Sequence, residues 1–430
     1  MNYQERLLKA IPGGAHTYSR GYDQYPANAP QILTRGKGAY IYDPEGNKYL
    51  DYGMALRAVN LGYAEDEIDA AAIEQIKNGN NLTRPSMIEL EAAELLVELI
   101  DSVDMVKFTK NGSTAVSAAV KLARAYTGRE LVARCAEQPF FSYDDWFIGS
   151  TPLTRGIPQE TIEKTKMFRY NDIDSLEALI AQHPGKFACV VLEPAATEEP
   201  KDNYLQRVQE LCRAHGIVFV LDEMITGFRW HMKGAQHLYG VTPDLCTFGK
   251  AMANGFAVAC IAGRREIMEL GSIEFEGRER VFLLSTTHGA EMSGLGAFVA
   301  ATRFMQQHNV VEHLWGYGRK LIALMQRQAE AHGIGHSFKV GGIPCSPYYL
   351  TLGESGANSL GLRTLFSQEM IRNGVLLPWI ALSYRHGEEE LALTERAMDR
   401  AFAVYRKALD EGVDKYLEGP AIKPVFRKFN

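Results

Sequence analysis

The chain has 430 residues, enough for two or three domains of ordinary size, and its 46% hydrophobic and 23% charged residues are typical of a soluble globular protein. Its formal net charge of −6 argues against nucleic acid or an anionic membrane surface as the main partner. No apolar run reaches the roughly 18 residues of a membrane-spanning helix, and the six cysteines are scattered without a Cys-x-x-Cys pair. We therefore expect no disulfide framework and no metal site, and a reducing cytoplasm as the location.

The predicted elements alternate between strands and helices through the middle of the chain. Residues 1–60 form an irregular arm and a short meander, and residues 65–78 and 86–101 have apolar positions at helical spacing. Short or continuously apolar runs then predict strands at 105–108, 131–134, 187–192, 217–221, 245–248 and 281–284. Strand–helix alternation over this length predicts an α/β fold with a mostly parallel, helix-covered sheet.

The pattern changes after about residue 310. A long helix over 311–331, antiparallel strands within 337–352 and helices near 360–373 and 387–410 predict a smaller α+β domain. We therefore expect three segments: an arm and meander over 1–60 that contribute to the small domain, a large domain over 61–310, and the small domain over 311–430.

An acid and an amine each follow an apolar strand. Asp222 ends the run that starts at Ile217, and Lys250 follows the run Leu245–Phe248. Ligands of open α/β sheets bind at the carboxyl ends of the strands. An acid for a pyridine nitrogen and a lysine for an aldehyde are the protein groups that pyridoxal phosphate (PLP) requires. The pair predicts PLP chemistry, although a solvated loop lysine and a helix-capping aspartate are the plainer interpretations of each residue alone.

Two further features fit such a site. Gly112, Ser113 and Thr114 lie where a strand gives way to a helix, where backbone N–H groups and the helix dipole favour a phosphate, although the same residues are common helix caps. Met224 is placed to pack against a cofactor ring or to be an ordinary core methionine.

Together these motifs make the chain resemble class III PLP-dependent aminotransferases, and within that class it is similar to glutamate-1-semialdehyde aminomutases. The resemblance spans nearly the whole chain and also includes Pro12-Gly13-Gly14, Asp51-Tyr52 and Leu192-Glu193-Pro194. It implies PLP transferase fold type I and a homodimer whose active sites lie at the subunit interface.

The resemblance also implies roles for individual residues. Lys250 would bond to the cofactor and move the proton, and Asp222 would pair with the pyridine nitrogen. Substrate contacts would come from Arg20, which matches an arginine that receives the substrate carboxylate, with Thr17 near it. The remaining cofactor contacts would come from Gly112, Ser113, Thr114, Phe140 as the stacking ring, Glu193, Met224, and Thr286 for the neighbouring subunit's phosphate.

The departures from the aminomutase pattern fall on the substrate pocket. The family's Tyr-His-Gly reads Phe140-Phe141-Ser142, and Ala195 stands where the aminomutases have a Gly-Asn element. Leu56 replaces a tryptophan and is followed by an unusual Arg57, a further candidate for substrate contact. Pro378–Ser383, which includes Trp379, replaces a stretch bearing a substrate-facing acid.

We therefore favour a PLP-dependent aminotransferase that moves an amino group from a donor, such as an amino acid, to a carbonyl acceptor through pyridoxamine phosphate. A glutamate-1-semialdehyde 2,1-aminomutase is the alternative, followed by an amino-acid racemase and a non-catalytic PLP-fold binding protein. A nicotinamide oxidoreductase is disfavoured, because no Gly-x-Gly-x-x-Gly opens a helix after a strand.

Overall fold

The computed structural model describes residues 2–429. Its strands are β1 (Arg35–Lys37), β2 (Tyr40–Tyr42), β3 (Lys48–Asp51), β4 (Met105–Thr109), β5 (Leu131–Cys135), β6 (Thr165–Phe168), β7 (Phe187–Leu192), β8 (Val218–Asp222), β9 (Leu245–Phe248), β10 (Ala259–Gly263), β11 (Phe338–Ile343), β12 (Ser346–Thr351) and β13 (Val375–Leu376).

The helices are α1 (Tyr3–Ala10), the short turn α2 (Met54–Arg57), α3 (Asp66–Lys77), α4 (Met87–Leu99), α5 (Gly112–Thr127), α6 (Asp145–Ile148), α7 (Gln159–Glu163), α8 (Ile173–Gln182), α9 (Tyr204–His215), α10 (Ala235–Leu238), α11 (Arg265–Met268), α12 (Met292–Gln307), α13 (Val310–Ala331), α14 (Leu360–Arg372) and α15 (Glu388–Glu411). Among residues 2–429, no helix combines the length and the apolar character that crossing a bilayer requires.

The chain forms two compact units. One comprises the segment ending at Glu65 together with Glu312–Arg427, and the other is built on Asp66–Val311. We refer to them as the split unit and the central unit.

The central unit contains a seven-stranded sheet in the order β4-β10-β9-β8-β7-β5-β6. The five strands from β6 to β9 are parallel to their neighbours, whereas β10 is antiparallel to both β9 and β4. Strands β7, β8, β9 and β10 are buried along their whole length, because helices cover the sheet. The prediction of a mostly parallel, helix-covered sheet is confirmed.

The observed strands of this unit differ from the predicted ones at three places. The run 281–284 is not a strand: Val281 makes one backbone hydrogen bond, to Leu270, and Phe282 is 69% exposed. The apolar residues of the run 281–284 therefore do not indicate a buried strand. Strands β6 and β10 were not predicted. Thr165–Phe168 mixes polar and apolar residues, and Ala259–Gly263, although apolar, has mostly small side chains and pairs with two neighbouring strands.

The split unit has a four-stranded sheet in the order β1-β2-β3-β13 and the antiparallel hairpin β11-β12. Strand β13 from the second part of the chain pairs in parallel with β3 from the first part, with Leu50 opposite Val375 and Asp51 opposite Leu376. An aromatic cluster forms the core beside the hairpin: Phe338, Tyr349, Phe366, Phe402 and Tyr405.

Candidate active site

Asp222 and Lys250 follow neighbouring strands of the central sheet. Asp222 is the last residue of β8 and lies in register with Thr247 of the parallel strand β9. Lys250 comes just after β9 and opens the 3-10 turn Lys250–Ala253. Neighbouring parallel strands end at the same edge of a sheet. Asp222 and Lys250, which were predicted as a pair, therefore both lie at that edge.

Burial sets the acidity of Asp222. Only 2% of the residue is exposed, and burial raises the pKa of its carboxyl to about 6. The positive charge of Lys250 and two hydrogen bonds lower the pKa, but less strongly. Those bonds fix Oδ1, which accepts from the Met224 N–H at 2.9 Å and from Thr247 Oγ1 at 3.1 Å. The carboxylate is thus buried, held at one oxygen and within electrostatic reach of Lys250.

The backbone at Lys250 is strained. Its φ of 45° lies in the left-handed region, where a residue other than glycine costs about 1–2 kcal/mol. The preceding Gly249 is in close contact, since a Cβ there would lie 2.6 Å from Met224 Sδ and 3.2 Å from the Ala259 side chain. The backbone before Lys250 is thus closely packed, and strain of the kind seen at Lys250 is common at active sites.

Met224 connects the end of β8 to the start of α5. It is 5% exposed and packs with Ala115 and Ala259. A Cβ on Gly112 would lie 2.8 Å from its Sδ. Both Gly112 and Gly249 are therefore needed for the close packing around this methionine.

The first turn of α5 carries the three residues predicted to hold a phosphate. Asn111 is the N-cap, and its Oδ1 accepts from the Thr114 N–H at 2.9 Å and from Thr114 Oγ1 at 3.0 Å. Gly112 and Ser113 follow the cap directly. Since the first N–H groups of a helix lack intrahelical acceptors, this turn offers donors and the positive end of a dipole to an anion.

The loop from Phe140 to Asp144 packs against that turn. Phe140 is 47% exposed, whereas Phe141 is buried. Ser142 is fully buried: its Oγ donates to the Ser113 carbonyl at 3.3 Å and accepts from the Asp144 N–H at 3.0 Å. The loop therefore leaves the rings of Phe140 and Tyr143 exposed and is attached to the helix start through Ser142.

This serine belongs to a wider polar network that the sequence did not indicate. Ser117 of α5 lies 3.0 Å from Ser142, Oγ to Oγ, donates to the Asp144 carboxylate, and accepts from Trp146 Nε1 at 2.8 Å. The Tyr143 N–H donates to Ser113 Oγ at 3.1 Å. Ser142, at a position where the related aminomutases have a glycine, was the sequence feature that could have indicated this network.

Glu193, the predicted cofactor-side acid, follows β7 and is 5% exposed. The buried side chain of Gln138 pairs with its backbone: Gln138 Nε2 donates to the Glu193 carbonyl and Oε1 accepts from the Glu193 N–H, both at 2.8 Å. The Gln138 side chain thus makes the backbone hydrogen bonds that a neighbouring strand would make. Because the two residues are far apart in the sequence, this contact could not be predicted from it.

Thr286 is exposed and lies on the irregular segment that precedes α12. Neighbouring contacts hold the segment: Asn81 Nδ2 donates to the Thr287 carbonyl at 3.0 Å, and Lys110 forms an ion pair with Glu291 at 2.5 Å. Gly289 permits a tight turn, because a Cβ there would lie 2.5 Å from Thr286 Oγ1.

The three predicted substrate residues belong to the split unit. Arg20 ends the 3-10 turn Tyr18–Arg20 and is exposed, and its N–H donates to the carbonyl of the half-buried Thr17 at 2.9 Å. Arg57 ends α2 and is half-buried. Arg20 lies near Tyr63: burial and the charge of Asp51 raise the pKa of that phenol, whereas the charge of Arg20 lowers it.

Comparison with known proteins identifies the family. Residues 21–343 match the model of the class III aminotransferases. The chain is 33% identical over 419 residues to a 3-aminobutyryl-CoA aminotransferase of Cloacimonas acidaminovorans (strain Evry), which covers 95% of this chain and 98% of that protein.

Solved structures agree with this assignment. The FumI protein of Sphingopyxis sp. MTA144, in its PLP internal aldimine form, is 27% identical with a TM-score of 0.86 and covers 95% of this chain and 97% of that one. An omega-transaminase from Sphaerobacter thermophilus is 27% identical with a TM-score of 0.82, covering 94% and 97%. A glutamate-1-semialdehyde aminomutase from Pseudomonas aeruginosa PAO1, at 20% identity and a TM-score of 0.82 over 94% of each chain, shares the fold.

The predicted resemblance and fold are thus confirmed. The chain belongs to the class III aminotransferases, and its cofactor is PLP.

Proposed function

We propose that Asp222 and Lys250 are the catalytic pair with which this aminotransferase moves an amino group from an amino donor to a separate carbonyl acceptor. The observation that supports this assignment is that a buried carboxylate ends β8 and a strained lysine comes just after β9, the strand parallel and adjacent to it. When bound, PLP supplies an aldehyde for the amino group and a ring that withdraws electrons from the carbon losing its proton.

The residues present fit this cofactor. The carboxylate of Asp222 holds a proton on a pyridine nitrogen, since a buried anion favours a cation beside it. The first turn of α5, at Gly112, Ser113 and Thr114, binds the phosphate. Phe140, half-exposed beside that turn, provides a face for the ring.

Lys250 has two tasks in this scheme. Its Nζ binds the cofactor before the donor arrives, and afterwards moves a proton to and from the reacting carbon. The left-handed backbone at Lys250 fixes where its side chain begins, so that proton transfer starts from one position. Glu193 and Met224 complete the surroundings as buried residues beside β7 and β8.

The donor is best described as a small amino acid with its amino group on the β-carbon. The similarity to a 3-aminobutyryl-CoA aminotransferase supports this class, either as the free acid or as a thioester. Phe141, Leu56, Ala195 and Trp379, which differ from the aminomutase pattern, favour transfer between two molecules over transfer within one. If the donor is the free acid, Arg20, with Thr17 beside it, receives its carboxylate, because guanidinium and carboxylate pair in bidentate fashion.

Homodimerisation completes the proposal. In the central unit, α3, α4 and the segment between them expose five large apolar side chains: Ile73, Ile76, Leu82, Met87 and Leu90, each at least 49% exposed. Such surfaces are typical of protein interfaces. In this dimer Thr286, which is exposed on its irregular segment, would contact the phosphate of the partner's cofactor.

Transfer between two molecules can be distinguished from transfer within one molecule by separating the two half-reactions. The PLP-loaded protein is mixed with 3-aminobutyrate alone, and we expect loss of the visible cofactor absorption with release of one equivalent of the keto product; added pyruvate should restore the absorption. In parallel, the aminated protein receives glutamate 1-semialdehyde alone. Rapid formation of 5-aminolevulinate, without response to 3-aminobutyrate, would identify an aminomutase instead.

A further inference from the structure

A buried arginine joins the two ends of the loop that carries Phe140. Arg134 lies in β5 and is 5% exposed. At the start of the loop, its Nη1 donates to the carbonyls of Cys135 and Ala136 at 3.0 and 3.2 Å. At the far end, its Nε and Nη2 donate to Oγ and to the carbonyl of Ser150, both at 2.9 Å. One side chain in the central unit thus closes the whole loop.

The acceptors of Arg134 are a hydroxyl and three carbonyls, all of them uncharged. Burial lowers the pKa of Arg134 below its ordinary value, because the cation is taken out of water. A buried charge of this kind is costly unless its hydrogen bonds are made. The planar fork of a guanidinium can bond both ends of the loop at once, which the single nitrogen of a lysine cannot do. The shape of the arginine is therefore what closes the loop.

The same guanidinium holds the aromatic residue Phe147 of α6. Phe147 is fully buried, and Arg134 Cζ lies 5.2 Å from the centre of its ring, within the range of a cation–π contact. Ser150 Oγ, which accepts from Arg134, also donates to the Phe147 carbonyl at 2.6 Å. Arg134 thus fixes Phe147 through its ring directly and through its backbone by way of Ser150.

Phe147 in turn contacts the ring of Phe140. The two ring centres are 5.8 Å apart and the ring planes meet at 76°, the edge-to-face geometry that aromatic pairs prefer. Phe141 packs on Phe147 in the same manner, at 5.7 Å and 79°. Because Phe147 is fully buried whereas Phe140 is 47% exposed, a fixed ring supports a partly open one.

We propose that Arg134 and Phe147 are positioning residues for PLP: Arg134 fixes the loop and Phe147, and Phe147 sets the plane of the Phe140 ring before the cofactor binds. The inference rests on the stacking role proposed for Phe140. A ring whose orientation is set in advance loses less entropy when its ligand arrives. The affinity for PLP and the asymmetric surroundings of the bound cofactor therefore depend on two residues behind the stacking ring.

The first test removes the two rings separately and together. For Phe140→Leu, Phe147→Leu and the double variant, titration gives the dissociation constant of PLP, and circular dichroism in the visible band is recorded per bound cofactor. We expect each single variant to raise the dissociation constant about three- to tenfold, the effect of an aromatic contact, and to reduce the visible dichroism. The double variant should be no worse than Phe140→Leu alone, because Phe147 acts through Phe140. Phe187→Leu, at a buried ring that starts β7, is the control.

The second test changes the arginine. Arg134→Met removes the charge and the fork, whereas Arg134→Lys keeps the charge, so both should reduce the visible dichroism per bound cofactor and Arg134→Lys should restore at most part of it. Arg129→Met is the matched control, since Arg129 precedes the same strand at its other end and its Nη1 donates to the carbonyls of Phe187, His215 and Gly216. Urea unfolding shows which variants are folded; if Arg134→Met is not, Arg134→Lys and Phe147→Leu decide the question.

Three outcomes are distinguished. If Phe140→Leu changes the affinity and the dichroism but Phe147→Leu changes neither, the positioning role is overturned. Variants of Arg134 and Phe147 that lose only unfolding free energy, with the dichroism per bound cofactor intact, would assign both residues to folding and equally overturn it. If Phe140→Leu itself changes neither quantity, the stacking proposed for Phe140 is the part that fails.

Discussion

At the residue scale, the buried position of Asp222 lowers the stability of the folded protein but suits the role that we propose for it in catalysis. Burial raises its pKa from an ordinary value near 3.8 to about 6, so the native protein binds this proton more tightly than the unfolded chain does. The free energy of unfolding therefore falls as the pH rises from about 4 to about 6 and stays lower above that range. The carboxylate is retained at a cost in stability, which fits a role in chemistry.

We predict that Asp222→Asn stabilises the cofactor-free protein at pH 8 by up to about 3 kcal/mol, since the shift is roughly two pKa units, and that the gain disappears towards pH 4. Urea unfolding at both pH values measures it. Amino transfer should fall by about 10- to 100-fold, because the pyridine nitrogen loses the charged hydrogen bond that keeps it protonated, which is worth about 1.5–3 kcal/mol.

Asp174→Asn, at an exposed position in α8, is the control for this change. An Asp222→Asn protein that is less stable than the wild type at pH 8, or that keeps its full transfer rate, would contradict the assignment.

At the element scale, the start of α5 depends on the loop that packs against it. The side chain of the fully buried Ser142 donates to the Ser113 carbonyl and accepts from the Asp144 N–H. The family's glycine at this position has no side chain to make these bonds. Ser142 thus joins the loop bearing Phe140 to the first turn of α5, which we propose binds the phosphate.

Ser142→Ala should lower the free energy of unfolding by about 1 kcal/mol, because it removes the acceptor of the Asp144 N–H and the donor to the Ser113 carbonyl. It should also weaken PLP binding, since the loop and the helix start lose a connection. Denaturant unfolding and PLP titration measure the two effects. Changes no larger than those of Ser355→Ala, at an exposed turn, would refute the structural role.

Elements with strong local patterns could be predicted from the sequence. Strand β7 was predicted with its observed bounds, Phe187–Leu192, because six successive apolar residues mark burial on both faces. Asp222 and Lys250 could be paired because each follows such a run. The left-handed α2 could not be predicted, since nothing in Met54–Arg57 itself favours that backbone: its hydrogen bonds come from Asp51 and Tyr63. Likewise, Gln138 and Ser142 act through tertiary contacts.

At the scale of the whole molecule, the exposed apolar residues of α3 and α4 indicate an interface with a partner protein. We predict that the protein sediments as a dimer and that Ile76→Glu with Met87→Glu shifts it towards the monomer, because burying two charges in an apolar interface is costly. Analytical ultracentrifugation measures the mass, with Leu238→Glu, exposed on α10, as the control.

Monomers in the wild type at micromolar concentration would contradict the dimer. If the active site lies at the interface, the Ile76→Glu and Met87→Glu variant should also bind PLP less tightly, whereas the control should not.

The central claim is that Lys250 bonds to PLP and moves the proton during amino transfer. The most direct test is the absorption spectrum of the PLP-loaded protein before and after addition of the amino donor, with Lys250→Ala beside it and Lys107→Ala, exposed on β4, as the control. We predict a visible band in the wild type and the control that the donor removes, and neither band nor turnover in Lys250→Ala. A wild type that gains no band with PLP, or a Lys250→Ala protein that keeps the band and the activity, would contradict it.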